Sequence, residues 1–158
     1  LTRWQGFVQV GQDSVNTQAS ASRLSLRASA GAVMAKDSIT LPSTQLFLAG
    51  GDNSVRGYGL HDIGVTLADG TTTAGRYLAT GSIEWQRPIR INGQLSDWEN
   101  TLFIDAGAVA NQPSELTPKV GVGLGARWKS PVGPLQIDLA YGVDVKRLRL
   151  HMNLGFSF

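Results

Sequence analysis

Apolar and polar residues alternate with period 2 along most of the chain, which is the pattern of half-exposed β-strands. In the last segment Leu148, Leu150, Met152, Leu154, Phe156 and Phe158 fall on one face, with Arg147, Arg149, His151, Asn153 and Ser157 on the other. Leu24, Leu26, Ala28, Ala30 and Ala32 likewise oppose Arg23, Ser25, Arg27 and Ser29. Val120, Val122, Leu124, Ala126 and Trp128 oppose Lys119, Gly121, Gly123, Gly125 and Arg127. Leu135, Ile137, Leu139, Tyr141 and Val143 oppose Gln136 and Asp138, and Tyr77, Ala79, Ile83 and Trp85 oppose Arg76, Thr80, Ser82, Glu84 and Gln86. The pattern predicts seven antiparallel strands, at 3–10, 20–34, 75–89, 100–110, 118–129, 134–143 and 146–158. Asn92-Gly93 and Ser130-Pro131-Val132-Gly133-Pro134 supply turn chemistry between strands. Residues 36–74 form one long connection; loops beyond about 15 residues are uncommon and usually functional.

A soluble β-sandwich alternates too, but three features favour a transmembrane β-barrel. Several strands run to about 10–13 residues, where soluble strands average about 5–6 and a tilted membrane strand needs about 9–11. The polar faces carry Arg, Lys, Glu and Asp while the apolar faces carry no charge, the water-in, lipid-out arrangement of an outer-membrane barrel. Aromatic residues stand at strand ends, among them Trp4, Tyr77, Trp85, Trp128, Tyr141, Phe156 and Phe158, as in an interfacial belt. Seven strands do not close a bacterial barrel, which has an even number from about 8 upward, and an open edge in lipid leaves backbone groups unbonded. The expectation is therefore the C-terminal part of a larger barrel.

Composition agrees. Of 158 residues only 16% are charged, against about 25% in soluble domains. There is no Cys, which removes thiol chemistry and disulfides, and a net charge of +2 gives no reason to expect nucleic acid. No apolar run reaches the roughly 18 residues of a transmembrane helix. The chain opens directly in strand-like sequence without a signal-peptide pattern, which suggests a piece of a longer precursor.

Candidate chemistry concentrates in the long loop, at Gly50-Gly51-Asp52-Asn53-Ser54-Val55-Arg56-Gly57-Tyr58-Gly59. Glycines allow tight turns and close approach. Arg56, if the loop folds into the barrel, needs anionic partners, because an unpaired buried charge is costly. Glu84 and Asp105, on neighbouring strands, can face the same lumen and bond it; a solvent-exposed loop with an ordinary surface Arg is the plainer alternative. The glycine alternation at 121, 123 and 125 leaves room for the loop. No GxGxxG or Walker spacing precedes a helix, so nucleotide binding is disfavoured. Nothing calls for a metal or cofactor. A hydrolytic barrel would need a nucleophile with a base, and the histidines are His61, beside Asp62, and His151; adjacent loop residues rarely orient as base and orienter, so no enzyme is expected.

GGDNSVRGY (50–58) resembles the loop-6 motif of the Omp85 superfamily of outer-membrane assembly and translocation barrels. With GRYLATGSIEWQ (75–86), FIDAGAV (103–109) and GVGLGARWKSPVGPLQIDLA (121–140), the text is similar to the TamA branch, the translocation and assembly module. The resemblance covers nearly all of the chain from about residue 20. It implies a 16-stranded barrel preceded by periplasmic POTRA domains, with this chain holding the last seven strands and lacking the first ones. It also implies that Arg56 bonds the acids matched by Glu84 and Asp105. The implied setting is the outer membrane of a Gram-negative bacterium, in contact with its lipid. The implied function is aiding insertion of barrel proteins and autotransporters as clients, with a TamB-like inner-membrane-anchored partner. A two-partner secretion transporter of the same superfamily is the alternative, and a passive porin would explain the barrel but not the loop. Met152, Leu154, Phe156 and Phe158 resemble the C-terminal β-signal read by the barrel assembly machinery, for which strand addition is a ready mechanism.

Overall fold

The computed structural model describes residues 1–10, 22–35, 41–131 and 133–155. The alternating segments form one seven-stranded antiparallel sheet. Its strands are β1 (Thr2–Val10), β2 (Ser22–Ala32), β5 (Tyr77–Ile91), β6 (Gln94–Ala110), β7 (Lys119–Ser130), β8 (Gly133–Gly142) and β9 (Arg147–Leu154), paired in that order. The long connection holds a small two-stranded ribbon, β3 (Val65–Thr66) with β4 (Thr72–Thr73). In the sheet, each strand lies beside its nearest sheet neighbours in sequence, and the longest connection runs from β2 to β5. No helix among the described residues is long and apolar enough to cross a membrane.

The strand ends correct the sequence-based boundaries in two places. The connection expected between 89 and 100 shrinks to the two residues Asn92-Gly93, both with positive φ (53° and 79°), the conformation that hairpin turns of this length require. Pairing continues through Pro88 by way of a register shift between Pro88 and Arg90, so the hairpin persists where strict alternation lapses. The expectation of an uninterrupted loop over 36–74 also gives way. Bridges Phe47↔Gly75 and Ala49↔Ile63, with the β3–β4 ribbon, zip the loop's two arms together. Residues 156–158, the end of the predicted last strand, lie outside the described residues.

Burial follows the register and inverts that of a soluble domain. Ile83, Leu102, Ile104, Leu124, Leu139, Leu148, Leu150 and Met152 are exposed on the outer face. Ser25, Ser82, Glu84, Gln86, Thr101, Asp105, Asp138 and His151 are buried on the inner one. Only an apolar surrounding makes that outer surface favourable, because burying apolar area from water is the main stabilising term available. The inner face is covered by the loop itself: Ala49, Val55, Tyr58 and Ile63 form an apolar cluster with Val109 of β6, and Leu78 packs against it.

Candidate functional site

The loop reaches the wall where the wall has no side chains to obstruct it. A Cβ on Gly121 would stand 1.8 Å from the Arg56 carbonyl oxygen. Gly57 (φ 93°) packs backbone to backbone on Gly142, and a Cβ at Gly107 would meet Val55 at 2.5 Å. These contacts hold Val55, Arg56, Gly57 and Tyr58 almost wholly out of solvent.

Arg56 is 1% exposed, and each nitrogen of its guanidinium donates a hydrogen bond. Its Nε donates to Asp105 Oδ2 at 2.7 Å and its Nη2 to Asp105 Oδ1 at 3.0 Å, a bidentate fork. The Arg56 backbone N–H adds a third bond to Asp105 Oδ2 at 3.1 Å. Nη1 donates to Glu84 Oε2 and to Asp138 Oδ2, both at 2.8 Å. The cation also lies 3.4 Å from the centroid of the Phe103 ring, which supplies a polarisable floor. Three strands, β5, β6 and β8, thus converge on one loop side chain.

The carboxylates are themselves held. Glu84 Oε1 accepts from Gln86 Nε2 at 2.7 Å and from Arg127 of β7, and Gln136 donates to Asp138. These partners matter because a buried carboxylate left without donors costs several kcal/mol. Gly57 N–H donates to His151 Nε2 at 3.0 Å, and the other ring nitrogen of His151 contacts Asp52. The loop is therefore also tied to β9. On its far side the Tyr58 hydroxyl donates to Asp144 Oδ2 at 2.7 Å in the β8–β9 turn. Burial, then this bond, raises the Tyr58 hydroxyl to about 12. The same bond, with Lys119 close by, holds the Asp144 carboxyl below its ordinary value.

The structure brings Arg56, Glu84 and Asp105 together. It adds Asp138, His151 and Arg127, which the alternation placed on polar faces without assigning them to the site, and Asp144, which falls between the last two predicted strands. Their signal was the alternation itself, which marks inward residues but not which inward residues meet. Asp52 and Asn53 are exposed at the loop tip, while Gly50 N–H donates to Ser54 Oγ at 2.8 Å and stiffens the turn into it. Asp62, the neighbour of His61, is engaged elsewhere. Asp62 Oδ2 accepts from Gly59 N–H at 2.7 Å and from Arg149 at 3.1 Å, and His61 stands exposed. Of the residues proposed for the C-terminal signal, Met152 and Leu154 are exposed on the outer face of β9. Phe156 and Phe158 lie outside the described residues.

The family model described as an Omp85 superfamily domain matches residues 2–158. The chain belongs to the Omp85 superfamily. It is similar to the chloroplastic outer envelope protein 80 of Arabidopsis thaliana, 32% identical over 117 residues, which cover 70% of this chain and 15% of that protein. It is also similar to outer envelope protein 39 of the same plant, 34% identical over 107 residues, covering 61% of this chain and 26% of the relative. Among solved structures it is similar to BamA from Haemophilus ducreyi lacking POTRA domains 1–3. The TM-score is 0.69 at 20% identity, over 96% of this chain and 32% of that one. That likeness establishes the fold: this Omp85 chain is a seven-stranded portion of a barrel wall with its loop folded inward. It spans a third or less of each of these proteins.

Proposed function

We propose that this Omp85 chain is part of the wall of an outer-membrane barrel that inserts or translocates other proteins, and that it makes or breaks no covalent bond. The observation that carries the reading is the engagement of one loop guanidinium by carboxylates from three strands. A passive pore has no use for such a lock. A barrel whose wall must hold one conformation while accepting a client strand does, because a multiply bonded buried cation has few alternative arrangements of similar energy. Within the superfamily, GGDNSVRGY and its flanking strands favour a TamA-like assembly factor, served by a TamB-like partner and acting on barrel proteins and autotransporters. The bacterial outer membrane is the proposed site, although the plant relatives show that organelle envelopes house this superfamily too.

The test uses the full-length parent protein in cells depleted of the wild type. An Arg56→Ala parent that itself reaches the membrane at wild-type level is expected to leave most client barrels unassembled, read as loss of their heat-modifiable folded form. Normal client assembly by that variant would refute the proposal.

A further inference from the structure

The outer face of the wall holds one exception to its apolar character. Along β5, Glu84 and Gln86 are buried inward, Ile83 is exposed outward, and Arg87 follows in the outward, exposed phase. It pairs with Asn100 of β6, also exposed. Among the described residues at outward positions of the paired strands, Arg87 is the charged one. Neither its guanidinium nor the Asn100 amide makes a side-chain hydrogen bond or ion pair among the described residues.

Its surroundings are layered. One step toward the loop end runs a row of Trp85, Leu102, Leu124, Leu139 and Leu150, set by the register. One step toward the turn end lie Trp98 and Trp128, opposite one another on β6 and β7 with ring centroids 5.9 Å apart and planes 12° from parallel. A stacked tryptophan pair beside a leucine row marks where hydrocarbon gives way to headgroups. A cation at that level is tolerated where it would be expensive deeper in the bilayer, since Arg extends its head toward the interface. A ligand for this place must be apolar on one side and anionic on the other.

We propose that Arg87, Asn100 and the Trp98–Trp128 pair form a site for the phosphate of an anionic membrane lipid, one whose headgroup carries no cation of its own, with the acyl chains lying along the leucine row. The guanidinium takes the phosphate oxygens in its fork, the Asn100 amide donates beside it, and the indole N–H groups face the same headgroup layer. The site rests on the membrane reading above and adds an anchored lipid at a fixed place on the wall.

The experiment places the full-length protein in vesicles containing either bromine-labelled phosphatidylglycerol or bromine-labelled phosphatidylcholine. Quenching of tryptophan fluorescence is assigned to this pair by comparison with a Trp98→Phe, Trp128→Phe variant. One basic residue at an anionic surface corresponds to a preference of about fivefold for the anionic lipid. The wild type is expected to show it, Arg87→Lys to keep it, and Arg87→Gln to lose it while retaining folded-barrel mobility. Equal quenching by the two lipids, or an unchanged preference in Arg87→Gln, in a protein that has inserted would overturn the site alone. Failure of the wild type to enter vesicles of either composition would overturn the membrane reading and the site with it.

Discussion

Replacing Arg56 by Ala removes four side-chain hydrogen bonds at once and leaves Glu84, Asp105 and Asp138 facing an emptied site. Charge-assisted bonds are worth about 1.5–3 kcal/mol each, but a simple sum over four overshoots, because they share one group and its desolvation opposes them. The better measure is the cost of deleting one partner from a buried ion cluster, about 3–5 kcal/mol. At about 1.4 kcal/mol per factor of ten, loop undocking becomes on the order of 100- to 4,000-fold more populated. Where opening and closing are fast relative to cleavage, proteolysis reports that population. The assay is limited proteolysis of the loop in the full-length protein held in detergent, with cleavage sites mapped between residues 41 and 76. Arg56→Lys separates charge from shape. An ammonium offers three donors at one point in place of the planar fork, so the bidentate bond to Asp105 is lost while the charge remains, and a smaller gain, on the order of tenfold, is expected. Cleavage of Arg56→Ala within threefold of wild type would refute the lock. Equality of the Lys variant with wild type would show that charge alone, not the fork, holds the loop.

Three further outcomes follow from the same geometry. Asp105 accepts three bonds from Arg56 and Glu84 accepts one, so Asp105→Asn should raise loop cleavage well beyond Glu84→Gln in the same assay. Gly121→Ala would force a Cβ to 1.8 Å from the Arg56 carbonyl oxygen; overpacking of about 1–3 kcal/mol should lower the thermal midpoint and loosen the loop with every charge still present. The Tyr58–Asp144 contact sets a pH window. Asp144, held below its ordinary 3.8, contributes fully above that value and loses its contribution as pH falls through the lowered one. Tyr58, raised to about 12, contributes fully below its ordinary 10.0 and loses its contribution as pH rises through about 12. Loop protection should therefore weaken on the alkaline side in the wild type, and Tyr58→Phe should abolish that step while lowering protection at neutral pH.

All seven wall strands were visible in the sequence, and so was the lumen side of the five whose opposed faces the alternation laid out. Alternation is a local property of the backbone, and each pleat states its own inside and outside. The signal failed where the backbone departed from that rule. Pro88 and the register shift beside it break the period across a stretch that is still paired. The β3–β4 ribbon is too short for a period to show at all.

Sequence alone placed Arg56 among glycines, allowed Glu84 and Asp105 to be inward acids on adjacent strands, and favoured lipid as the surrounding of the apolar faces. These follow from local periodicity and from the cost of exposing or burying the wrong group. The third carboxylate, the histidine under Gly57 and the tyrosine–aspartate tie were settled only by tertiary structure. Asp138 lies 82 residues from Arg56 and His151 lies 94 from Gly57. Whether they meet depends on how the twisted sheet curves and how far the loop descends, and both are set by close contacts at Gly107, Gly121 and Gly142 that no single strand specifies.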